Sequence, residues 1–83
     1  MDKNNPIFVQ LVKSYHDALI VWRGSTQVRH IGRVFHLTER TYCDQYVLLA
    51  NRDFQTRKPY PFMRELSLAD RDAAFEAARK EMP

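Results

Sequence analysis

Between residues 27 and 66 this chain sets arginine against apolar residues again and again, and that interleaving limits how its middle can fold. Seven of the nine arginines (Arg23, Arg29, Arg33, Arg40, Arg52, Arg57 and Arg64) fall between residues 23 and 64 with Lys58, opposed by only Glu39, Asp44 and Asp53. The stretch from Arg23 to Arg64 carries +5, residues 1–22 are neutral, and residues 65–83 carry −2. Elements this charged bury one side and leave the other in water, which is the pattern of half-exposed antiparallel strands.

The parity of the apolar residues predicts where those strands run. Over 27–37, Val28 and Val34 share one parity while Ile31, Phe35 and Leu37 share the other, with Gly32 at the change of phase, where a bulge is expected. Glu39, Arg40 and Thr41 read as a polar turn. The segment 42–50 is apolar on both faces after Tyr46, as a central strand would be. Asn51, Arg52 and Asp53 read as a further turn, and 58–66 alternates with Tyr60, Phe62 and Leu66 on one side. Pro59 and Pro61 have no N–H to give a ladder, so this strand belongs at an edge.

Helices frame this region. Asn5 and Pro6 make a capped helix start, followed by Phe8, Leu11, Val12, Tyr15 and Leu19 at helical spacing, so a helix is predicted over about 6–17. The run Ala18-Leu19-Ile20-Val21-Trp22 either continues it to a stop at Gly24 or forms a strand over 18–23; β-branched Ile20 and Val21 favour the strand. Gly24, Ser25 and Thr26 read as a turn. Ser67 and Asp70 resemble a capping box opening a last helix over about 68–81. The expected fold is therefore α+β: an N-terminal helix, a three- to four-stranded antiparallel sheet able to curl towards a barrel, and a C-terminal helix, in one small domain spanning 1–83.

Several function classes have no footing in the residues. His16, His30, His36, Cys43 and Asp44 lack the short-spaced ligand pairs of a metal site, so no metal is expected. The chain has two glycines and no phosphate-binding loop, so no cofactor is expected; no nucleophile, base and orienting group can be assembled, so no enzyme is expected. One cysteine excludes an internal disulfide, and no secretory leader is apparent, which together point to a cytoplasmic protein. The longest apolar run, Ala18 to Trp22, is far short of the ~20 residues that span a bilayer, so no membrane role is expected.

What remains is binding. Guanidinium is a planar fork that pairs with carboxylate or phosphate and stacks on flat rings. The sequence predicts a non-catalytic binding or regulatory protein that engages an acidic protein surface through an arginine-rich sheet face. Arg23, Arg29 and Arg33 would form that face, with Arg52, Arg57 and Lys58 at its rim and Trp22 and Tyr60 as aromatic anchors. The alternative is a nucleic-acid-binding accessory protein using the same face, with Tyr42, Phe54 or Tyr60 as stacking surfaces. The plainest reading leaves the arginines as solvated outer-face residues that protect strand edges. A core this small is helped by self-association, so a homodimer is also among the expected states.

Overall fold

Residues 2–83 are described by a computed structural model, and its local geometry follows from the caps. The Asn5 side chain accepts a hydrogen bond from the Ile7 N–H at 2.9 Å, and Pro6 occupies the first turn of α1 (Pro6–Gly24). The helix does not stop near residue 17. Trp22 lies three residues after Leu19 and four after Ala18, so it prolongs the stripe of Phe8, Leu11, Tyr15, Ala18 and Leu19, all buried. The β-branched pair Ile20 and Val21 costs only tenths of a kcal/mol each in a helix, too little to oppose that packing. The strand expected over 18–23 is the end of α1.

Ser25 ends α1 and starts α2 (Thr26–Val34): its N–H donates to the Val21 carbonyl at 3.0 Å while its hydroxyl accepts from the Val28 N–H at 3.2 Å. The strand expected over 27–37 is this helix and its exit. The phase fault has a simple cause, because Val28, Ile31, Val34 and Phe35 are separated by three or four residues and share one helical face. Gly32 is not a bulge. It is the point where α2 passes against the Trp22 indole, so closely that a β-carbon there would lie 2.6 Å from Cη2 and 2.8 Å from Cζ3.

The chain leaves α2 through a Schellman motif. The Leu37 N–H reaches back to the Gly32 carbonyl at 2.8 Å and the His36 N–H to that of Arg33 at 3.3 Å, with His36 left-handed at φ 56°. Thr38 then caps α3 (Glu39–Ala50) by accepting from the Thr41 N–H at 3.1 Å, and Glu39 in the first turn suits the helix dipole. The central strand expected over 42–50 is this helix; Cys43 and Val47, four apart, are its buried stripe.

The edge strand expected over 58–66 is likewise absent. A single isolated bridge, Arg52 with Pro59, is the only strand-like pairing among the described residues, and Pro61 instead opens the short helix α4 (Pro61–Glu65). Ser67 and Asp70 form a reciprocal capping box at the start of α5 (Leu68–Lys80). The described residues are 71% helical and 2% strand, so the protein is a small all-helical fold and not an α+β sheet or barrel.

α1 is the centre. It packs against α3 and α5, and more lightly against α2. Leu11, Tyr15, Ala18 and Leu19 of α1 meet Cys43 and Val47 of α3, Met63 of α4, and Ala74, Phe75 and Ala78 of α5. Arg40 crosses between layers: its Nε donates to Asp44 at 3.0 Å, its Nη2 lies 2.7 Å from Asp72 of α5, and its guanidinium covers the rings of Phe75 and Tyr15. The Tyr15 hydroxyl donates to Asp44 at 2.6 Å, and burial, followed by that bond, raises its pKa. Buried Asn51 closes the other end, its Nδ2 donating to Ser14 Oγ at 3.1 Å and the Val47 carbonyl at 2.8 Å. No helix among the described residues is long and apolar enough to cross a membrane.

Candidate functional site

Antiparallel pairing of α1 with α3 sorts the expected binding residues into two groups. Arg23 meets Glu39 at one end of the pair and Ser14 meets Asn51 at the other. Those two contacts stand nine residues apart along α1, which at 1.5 Å per residue is about 14 Å. Trp22, Arg23, Arg29 and Arg33 therefore sit with α2, whereas Arg52, Arg57, Lys58 and Tyr60 sit on the far loop. There is no sheet to join them.

Within the α2 group, most cations already have partners. Arg23 forms a two-bond fork with Glu39 at 3.0 and 3.2 Å, and that bond raises its pKa. Arg29 turns its Nη1 onto the carbonyls of Trp22 (2.9 Å) and Arg23, which closes the C-terminal end of α1. Trp22 is half-buried, between Gly32 and a Tyr42 ring whose centroid is 5.1 Å away. Arg33 is exposed and, among the described residues, enters no ion pair.

The residues that parity hid are the apolar ones. Ile31, Val34 and Phe35 are 50%, 61% and 69% exposed and lie at i, i+3 and i+4 on the last turn of α2 and its C-cap. Read as strand residues, Val34 falls on one face and Ile31 and Phe35 on the other. In the helix, Gly32 meets the Trp22 indole of α1 and Val28 is half-buried, while Ile31, Val34 and Phe35 keep half or more of their surface in water. Their surroundings are Arg33, His30 and His36, and no acidic residue occurs from Gly24 to Thr38. The signal was present as a three-and-four spacing beside two arginines.

The second group surrounds a knuckle. Asp53 Oδ1 accepts from the N–H groups of Gln55 (2.8 Å) and Thr56 (3.0 Å), and these bonds, Thr56 first, hold its carboxyl below the usual range. Arg52, Phe54, Gln55 and Arg57 line one open concavity there. Tyr60, 41% exposed, stacks on Phe62 with centroids 6.0 Å apart.

Catalytic and groove-reading arrangements fare worse. Cys43 is fully buried, and burial, with Glu39 and Asp44 nearby, pushes its thiol up to about 12, so it supplies no thiolate near neutrality. Among the described residues no three His, Cys, Asp or Glu side chains gather as a metal site; His16, His30 and His36 lie on α1, α2 and the following turn. α2, its four-residue turn and α3 have the lengths of a helix-turn-helix, whose second helix must offer base-contacting side chains. Here Cys43 and Val47 are buried, Arg40 is held by two carboxylates, and the outer face of α3 shows Thr41, Gln45, Leu48 and Leu49, with no cation. Comparisons with protein families, curated proteins and solved structures find no match for the chain.

Proposed function

We propose that the protein is a non-catalytic binding module that docks α2, lengthwise, into an apolar groove rimmed by carboxylates on another protein. The observation that carries this reading is the exposed triad Ile31, Val34 and Phe35, set in a fifteen-residue stretch without one acidic side chain. Amphipathic helices bind grooves through anchors at this spacing. Arginine beside large apolar anchors is the composition of interface hot spots, and Arg33 supplies the pairing group. The partner is acidic because α2 offers cations alone to its rim.

The test compares three baits in affinity capture from source-cell lysate: wild type, Val34→Glu with Phe35→Glu, and Arg33→Glu. All three positions are exposed, so the fold survives. A protein retained by wild type at low salt, released at high salt and lost from both variants supports the reading. Recovery that ignores the α2 substitutions overturns it. So does a homodimer in light scattering that the same substitutions split, because a second copy would then account for the face.

A further inference from the structure

Phe54 is 94% exposed, more than any other large apolar side chain among the described residues, and α2 has no part in it. Its loop is tied throughout. Besides the two bonds to Asp53 Oδ1, the Asp53 N–H donates to the Lys58 carbonyl at 2.8 Å and the Arg57 N–H to the Asp53 carbonyl at 2.9 Å, with Arg57 left-handed at φ 62°. The Arg52–Pro59 bridge and the Tyr60 N–H bond to the Asn51 carbonyl at 2.9 Å close its base. Asn51 is itself fastened to α1 through Ser14. The phenyl ring is thus held out in water by an ordered support.

Charge says what covers it. Residues 51–64 contain Arg52, Arg57, Lys58 and Arg64 against Asp53 alone, a local +3 that equals the net charge of the whole chain. None of the four enters an ion pair among the described residues, and the one carboxylate faces the loop's own N–H groups. A flat apolar ring that shares its concavity with Arg52 and Arg57, with Lys58 next in the chain, matches a ligand that alternates flat rings with negative charge. An apolar protein groove would instead have to desolvate those cations. A duplex keeps its base faces stacked internally, whereas a single strand presents them.

We propose that residues 51–60 form a stacking knuckle for single-stranded nucleic acid, Phe54 taking the face of one base while Arg52, Arg57 and Lys58 hold the neighbouring phosphates. This site is independent of α2, so either assignment can fail without the other.

The experiment is fluorescence anisotropy of labelled oligo-dT and oligo-U, each about ten nucleotides, titrated with the full chain at several salt concentrations. Phe54→Ala weakens binding about ten- to a hundredfold, the usual worth of one stacked base, and Phe54→Trp restores it. Three neutralised phosphates give a log–log salt slope near −2, and Arg52→Gln or Arg57→Gln each flatten it by about 0.7. Leu68→Ala, an exposed apolar position at the start of α5, leaves affinity unchanged. Unaltered thermal melts show that these exposed substitutions act on binding. Absence of binding at low salt overturns the proposal, as does full affinity in Phe54→Ala or equal affinity for a duplex of the same length.

Discussion

Adding one methyl group at each of the two glycines should move stability in opposite directions. Neither glycine has positive φ, so alanine is conformationally acceptable at both. Alanine gains about 1 kcal/mol over glycine inside a helix. At Gly24 the new β-carbon meets nothing within 4 Å, so Gly24→Ala should stabilise by up to that amount, less at a helix end. At Gly32 it would lie 2.6 Å from the Trp22 ring, about 1 Å inside the 3.5–4.0 Å of an ordinary carbon contact. The indole cannot simply yield, because the Tyr42 ring packs tilted against it at 5.1 Å and Tyr46 lies 6.3 Å beyond Tyr42. Overpacking of this kind costs about 1–3 kcal/mol. After the propensity gain the net loss is about 1 kcal/mol, or roughly 4–8 °C in Tm for a domain of this size. Thermal and urea melts followed by circular dichroism at 222 nm measure both variants. Trp22→Leu combined with Gly32→Ala should couple favourably by more than about 0.5 kcal/mol in a double-mutant cycle. If Gly32→Ala raises Tm as much as Gly24→Ala does, the close approach of α2 to Trp22 is wrong.

Arg40→Met keeps the apolar stem but removes the bonds to Asp44 and Asp72 and the charge over Phe75 and Tyr15; with the pair partly exposed, we expect a loss of about 2 kcal/mol in urea unfolding. His36→Gly relieves a left-handed residue at a Schellman position and should raise stability by about 1 kcal/mol in the same assay. The buried Cys43 thiol should resist a disulfide reagent at pH 8 until the protein unfolds, showing the kinetics of unfolding rather than of an open thiol. Its pKa is raised from 9.0 to about 12 in the fold, so the stability it contributes is fully present below pH 9 and is lost as pH climbs from there through 12. Tyr15 and Tyr42 are also raised, mainly by burial, and push in the same direction above pH 10, so alkaline titration by circular dichroism should give a cooperative loss of helix.

The helix starts were legible because a cap is a local transaction. Asn5 with Pro6, and Ser67 with Asp70, satisfy N–H groups only two or three residues away. The middle was misread because its apolar residues satisfy two periods at once. Val28 and Val34 agree with a strand, and so do Ile31 and Phe35, yet the set 28, 31, 34 and 35 fits a helix without any fault. Residues 42–50 looked apolar on both sides because Leu48 and Leu49 are left in water at 39% and 56% while Cys43 and Val47 are buried. β-branching tipped the reading towards strands, and packing against α1 outweighs it. Of the named cations, Arg52, Arg57 and Lys58 do gather on one loop, whereas Arg29 is spent on α1 carbonyls, a role no spacing rule reveals. The exposed triad on α2 was hidden by the wrong period alone.

Ser25 has a mechanical consequence. One residue closes α1 with its amide and opens α2 with its hydroxyl, so the two rods share a welded elbow with no spare links. A swing of α2 about the Ser25 N–Cα bond would carry the hydroxyl with it, so the corner is held by the Arg29 bonds to the Trp22 and Arg23 carbonyls and by the seat of Gly32 on the Trp22 ring.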